Sequence, residues 1–176
     1  MSSSFQDALQ AGQRFLFDGS LPTVLYERGV FINSSFEETN LGRPELVLSI
    51  HREFREAGAQ VLTTNTWAAN RAKLGAFGLA ERTADINRAG AQLARRALVG
   101  EGGWVAGCIG PLGMTLEPFG PLPLEEARRI VQEQALALLE GGVDLFVLES
   151  FQDLHEALEA LASVKAVSDL PGAAHF

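Results

Sequence analysis

The feature that most constrains this chain is a joint that occurs twice. Glu56-Ala57-Gly58-Ala59-Gln60-Val61-Leu62 is paralleled by Glu140-Gly141-Gly142-Val143-Asp144-Leu145. In both, a helical pattern stops at glycine, turns tightly and feeds a short apolar run. Glycine suits that position because the chain leaving a helix often takes a left-handed conformation, which a Cβ disfavours. Recurring joints of this kind mark a fold built from successive βα units.

The rest of the chain follows the same rhythm. Phe15-Leu16-Phe17 ends at Asp18-Gly19, and Val61-Leu62 ends at Thr63-Thr64-Asn65-Thr66. Trp104 to Ile109 ends at Gly110-Pro111, and Leu145 to Leu148 ends at Glu149-Ser150. Runs apolar on both faces are what a helix-covered parallel sheet requires, so each reads as a buried strand. Between them lie helical stripes: Leu46, Ile50 and Phe54 after Pro44; Ile86, Ala89, Leu93 and Ala97; and Ala127, Ile130, Val131 and Leu138 up to Gly141-Gly142. Leu154, Leu158 and Leu161 form a fourth stripe, with Asp153 and Glu156 spaced as a capping box. A fifth strand is due after Leu170-Pro171, where Gly172-Ala173-Ala174-His175-Phe176 offers only weak strand formers. The fold class is α/β with about four βα units, either an eight-stranded barrel or a doubly wound sheet.

Composition removes several functions. With 14 Lys and Arg against 22 Asp and Glu, the net charge is -8. Its basic pairs, Arg95-Arg96 and Arg128-Arg129, are isolated, which argues against nucleic acid and anionic membrane as partners. The single cysteine, Cys108, excludes an internal disulfide and fits a reducing, cytoplasmic compartment. The stretch up to Gln13 lacks the basic flank and apolar run of a signal peptide, and no run is long enough to span a bilayer.

Candidate site residues gather where strands end. Asp18, Thr64, Asn65 and Glu149 stand at or just past those ends, which converge on one crevice in such folds. Two carboxylates and a Thr-Asn-Thr run suit a small polar substrate bearing an amino group. Alternatively, Asp18 starts the turn at Gly19 and Glu149 caps a helix; the recurrence on several strands favours the binding reading.

Other motifs carry less. Gly107, Gly110 and Gly113 follow a strand but lack dinucleotide spacing, and Pro111 removes an amide donor. His51, His155 and His175 are scattered, without metal-ligand spacing. Cys108, inside an apolar strand, reads as a small buried hydrophobe. Trp67 and Trp104 suit either packing or lining the crevice.

A family resemblance adds to this. Phe17-Asp18-Gly19-Ser20-Leu21-Pro22-Thr23-Val24-Leu25 and Asn33 to Leu41 are followed by Thr64-Asn65-Thr66-Trp67 and Ala69-Asn70-Arg71. Ile86-Asn87-Arg88-Ala89, Ile109-Gly110-Pro111-Leu112-Gly113 and Leu148-Glu149-Ser150-Phe151 complete the set. Together these resemble the homocysteine-binding domain of zinc-dependent homocysteine S-methyltransferases, from about Arg14 to Pro171. The resemblance implies a (β/α)8 barrel, with residues 1–13 as an extension and 14–176 as a partial barrel truncated near its fifth strand. It implies that Asp18, Gly19, Ser20 and Glu149 hold the amino and carboxylate groups of homocysteine, with Thr64, Asn65 and Thr66 nearby.

In that family, zinc held by cysteine thiolates activates the homocysteine sulfur toward a methyl donor. The donor is a sulfonium compound, or methylated folate acting through cobalamin on other domains. The zinc cysteines belong to later strands, so neither a metal ligand nor a catalytic residue is expected here. Cys108 does not match one, and Pro22 replaces a glycine found in some branches. The expectation is a methyltransferase domain represented by a fragment. The alternative is a catalytically inactive half-barrel, an interaction module or truncated gene product. Unpaired strand edges predict a homo-oligomer or a complementary barrel half as partner.

Overall fold

A computed structural model describes residues 4–100 and 102–175. Four strands, β1 (Val61–Thr63), β2 (Trp104–Ile109), β3 (Leu145–Glu149) and β4 (Gly172–His175), lie side by side in chain order, all parallel. The helices are α1 (Phe5–Gln10), α2 (Leu21–Glu27), α3 (Thr39–Gly42), α4 (Pro44–Glu56), α5 (Arg71–Gly75), α6 (Thr83–Ala97), α7 (Leu124–Gly141) and α8 (Leu154–Lys165). Of these, α6, α7 and α8 are the crossovers that parallel neighbours require.

Alternation along the strands separates two cores. Leu62, Val105, Ile109, Phe146 and Leu148 face the helices and join Ile50, Leu93 and Leu138. Val61, Ala106 and Leu145 face the other way and pack with Phe5, Phe15 and Trp104. Burial of side chains such as Phe146 and Leu148 stabilises the sheet by about 1.5–3 kcal/mol each. At the second joint, Gly142 caps α7 in the left-handed region, with φ 91°.

The N-terminal extension is folded along its described part. Ser4 caps α1 by accepting from the Asp7 amide, and the Asp7 carboxylate answers it. The Phe5 ring lies 4.7 Å from Phe15 and 5.7 Å from Trp104, closing the N-terminal end of the sheet. Trp104 is thus a packing residue. Met1–Ser3, within the extension, and Phe176, at the end of the expected fifth strand, lie outside the described residues.

Three expectations change. The fifth strand forms despite its small residues, because pairing along β3 supplies the hydrogen bonds and aligns Phe146 with Gly172 and Glu149 with His175. The first run, Phe15-Leu16-Phe17, is not a buried strand: it reduces to one bridge between Phe17 and Val61, and Leu16 is 56% exposed. It is the sheet's outer edge, where Phe15 packs on Phe5 of α1 and Leu16 and Phe17 stay exposed. On α8 the buried face is Ala157, Ala160 and Val164, while Leu154 and Leu158 are exposed. The small face is favoured because it lets α8 approach the sheet and α7 closely. The capping box there is half made: Asp153 accepts from the Glu156 amide, but the Glu156 carboxylate turns away to accept from the Leu112 amide at 2.6 Å.

Candidate functional site

The C-terminal ends of the strands open onto a cleft of about 650 Å³. All seven expected residues line it: Asp18, Gly19, Ser20, Thr64, Asn65, Thr66 and Glu149. Their surroundings divide them into two groups.

Asp18, beside the β1 edge, and Glu149, at the end of the interior strand β3, face the same space. Asp18 follows the Phe17 bridge; its amide donates to Val61 O at 3.1 Å and its Oδ2 accepts from the Thr63 amide at 2.8 Å. Burial pushes the Asp18 carboxyl up to about 7, Glu149 adds to the rise, and the Thr63 bonds oppose it. Beyond Asp18 the backbone turns into α2, and the Gly19 and Ser20 amides find no acceptor among the described residues. Gly19 is fitted tightly, since a Cβ there would lie 3.1 Å from the Phe54 ring.

Thr64, Asn65 and Thr66 spend their side chains inward. Thr64 Oγ1 accepts from the Cys108 amide at 2.9 Å, and Thr66 Oγ1 donates to Cys108 O at 2.8 Å. Asn65 Nδ2 donates to Phe36 O at 2.8 Å, while Asn40 Nδ2 donates back to Asn65 O at 2.8 Å. The run stitches the end of β1 to β2 and to the segment before α4. It shapes the cleft wall and offers little free hydrogen-bonding capacity.

Further lining residues take parts that the sequence reading left open, as for Trp67, or did not assign, as for Cys108, Ser150 and His175. Cys108 is buried as expected, but its thiol is no mere hydrophobe: it donates to Glu149 Oε2 at 3.1 Å. Burial raises the thiol pKa well above its ordinary value, and Glu149 raises it further. Register explains the meeting, since Cys108 aligns with Val147 and Glu149 lies two residues on, facing the same way. By the same register His175 aligns with Glu149. Trp67 donates from Nε1 to Glu149 O at 3.0 Å. It sits on Gly110, where a Cβ would come within 2.5 Å of the indole nitrogen. Only a glycine after β2 admits that ring, which accounts for one member of the Gly107, Gly110, Gly113 series. Ser150, just past Glu149, holds φ 60°, a conformation uncommon outside glycine.

The donor set does not form a metal cage. No group of three His, Cys, Asp or Glu side chains converges among the described residues. The one thiol is held protonated beside a carboxylate. No described helix is long and apolar enough to cross a membrane.

Comparison with known proteins agrees with this layout. Residues 15–176 match the homocysteine S-methyltransferase family. Methionine synthase from Mycobacterium tuberculosis is 34% identical over 149 residues, covering 79% of this chain and 12% of that protein. Methionine synthase from Mycobacterium leprae is 34% identical over 123 residues, covering 67% of the chain and 10% of the relative. The crystal structure of the homocysteine methyltransferase MmuM from Escherichia coli, oxidised form, superposes with a TM-score of 0.80 at 28% identity, covering 94% of this chain and 63% of that one. Its metallated form gives 0.78 at 28% identity. The chain therefore spans a small part of the methionine synthases and less than two thirds of the solved structure. The parallel βα units are those of part of a (β/α)8 barrel, the C-terminal strand ends carry the residues the motifs single out, and the chain belongs to the homocysteine S-methyltransferase family.

Proposed function

We propose that residues 14–176 form the amino-acid-holding part of a homocysteine S-methyltransferase barrel, with 1–13 as an extension whose α1 packs beneath it. One observation carries this reading: Asp18 and Glu149 face one cleft beside two amides without acceptors among the described residues. A carboxylate pair suits an ammonium group, and free amides suit a carboxylate, so an α-amino acid fits both ends. Cys108 holds one oxygen of Glu149 and leaves the other for the ligand. Burial of Asp18 makes its charge depend on a cationic partner, which favours an occupant bearing an ammonium.

In this family reading, a metal supplies activation of the homocysteine thiol. The described residues do not fit zinc, as Cys108 is a lone protonated thiol with a carboxylate partner. No step is routed through a metal here. This chain's share of the reaction is to bind and orient the amino acid, and methyl transfer requires thiolate ligands that it does not carry.

Calorimetric titration with L-homocysteine tests the reading. The chain binds, and Asp18→Asn or Glu149→Gln each weakens binding at least tenfold. Unchanged affinity in both variants defeats it.

A further inference from the structure

The peptide group that joins Glu149 to Ser150 is held at both ends. Its carbonyl accepts from Trp67 Nε1 at 3.0 Å, and its N–H donates to His175 O at 2.9 Å. Immediately beyond it, Ser150 takes φ 60°, the one non-glycine residue with positive φ among the described residues. Serine does not favour that conformation by itself, and such strain persists where surrounding contacts over-determine it. The His175 bond continues the β3–β4 ladder. The Trp67 bond belongs to no ladder: it reaches from the segment after β1, past the end of β2, to the end of β3.

The indole is itself fixed. The Trp67 carbonyl accepts from the Gly110 amide at 3.0 Å, and the ring fills the space that a Cβ on Gly110 would take. Lys73 Nζ stands 3.8 Å from the ring centroid. A cation over an indole face is attracted to the ring and polarises it, which strengthens donation by its N–H. Without the indole bond, the Glu149–Ser150 peptide would turn toward the φ that serine prefers. The Glu149 carboxylate would then leave its place beside Cys108. We propose that Trp67 is a positioning residue: its N–H holds the strained Glu149–Ser150 peptide and so keeps the Glu149 carboxylate aimed at the ammonium of the bound amino acid, with Lys73 steadying the ring. The inference rests on the proposed homocysteine site and adds the device that sets its ammonium end.

The test titrates L-homocysteine, and separately 4-mercaptobutanoate, into the unaltered chain, Trp67→Phe, Lys73→Gln and Lys73→Arg. The second ligand keeps the thiol and the carboxylate and lacks the amino group. Phenylalanine keeps a ring beside Gly110 and removes the donor. Trp67→Phe is expected to weaken homocysteine about five- to twentyfold and 4-mercaptobutanoate less than about twofold. Lys73→Gln is expected to weaken homocysteine alone, about two- to fourfold, and Lys73→Arg to retain its affinity. Unchanged homocysteine affinity in Trp67→Phe, or an equal loss of both ligands in a variant that still unfolds cooperatively in urea, overturns the proposal and leaves the homocysteine site standing. If Trp67→Phe does not fold, Lys73→Gln decides, and homocysteine affinity equal to that of the unaltered chain overturns the proposal. Failure of the unaltered chain to bind homocysteine overturns the site and the positioning device together.

Discussion

The Cys108 thiol donates to Glu149 Oε2 at 3.1 Å across two neighbouring strands, so a residue of β2 orients the carboxylate that ends β3. A hydrogen bond to a charged group contributes about 1.5–3 kcal/mol, and less where the donor is a weak one such as a thiol. Cys108→Ser preserves a donor of similar size, and homocysteine affinity stays within about twofold of the original. Cys108→Val removes the donor, and affinity falls roughly three- to tenfold. Calorimetry on the two variants checks this; equal affinities would mean that the thiol does not position Glu149.

Asp18 makes the fold pay for the site. Its folded pKa, about 7, lies above the ordinary value of 3.8, so the native state holds the proton more tightly than the unfolded chain does. Stability from this group therefore falls as pH rises from about 4 to about 7 and then levels off. The full shift corresponds to about 4 kcal/mol, reduced to roughly 1–3 kcal/mol by water at the cleft mouth. Asp18→Asn should accordingly raise the urea midpoint at pH 8 and leave it nearly unchanged at pH 4, while abolishing the rise in homocysteine affinity as Asp18 ionises through pH 7. A variant less stable than the original at pH 8 would contradict the argument.

His51 acts in the opposite sense. It is fully buried on α4, neither ring nitrogen has a hydrogen-bond partner among the described residues, and burial lowers its pKa to about 4. The unfolded chain takes up a proton near pH 6.5, so stability present above that value is lost as pH falls toward 4, by about 3 kcal/mol. His51→Leu should remove this acid sensitivity and cost little at pH 7.5, since no hydrogen bond is broken. Denaturant midpoints for both proteins between pH 4 and 8 decide it; parallel profiles would show that His51 is not the group responsible.

Asn65 separates scaffold from ligand contact. Its amide nitrogen serves Phe36 O, Thr39 Oγ1 and Asn40 Oδ1 in a buried network. Asn65→Ala deprives Asn40 Oδ1 of its donor, while Phe36 O keeps its bonds from Thr39, and should destabilise the fold by about 1–3 kcal/mol. Measured at a temperature where the variant remains folded, homocysteine affinity should drop less than threefold. A large affinity loss with unchanged stability would make Asn65 a direct ligand contact instead.

Much of the architecture was legible because it rests on local signals. Glycine at the helix–strand joints, apolar runs at Trp104 to Ile109 and Leu145 to Leu148, and stripes such as Ile86 to Ala97 each report a residue's immediate neighbours. The misses have a common origin. Leu154 and Leu158 look like a buried stripe, but close packing selected the alanine face of α8. The fifth strand looked too weak at Gly172-Ala173-Ala174, yet an existing neighbour, β3, was enough to recruit it. Phe15-Leu16-Phe17 looked like a core strand and became an edge.

The strand-end carboxylates Asp18 and Glu149 are determined by the sequence alone, since any parallel βα fold delivers residues at those positions to one crevice. Which groups meet there was decided only in three dimensions. Strand register brings Cys108 to Glu149, a missing Cβ at Gly110 admits Trp67, and the side chains of Thr64, Asn65 and Thr66 bond into the cleft wall. Periodicity along a chain reports which face a side chain takes, while the partner on that face depends on the offset between strands far apart in sequence. That offset is set by the packing of whole helices, and no local pattern records it.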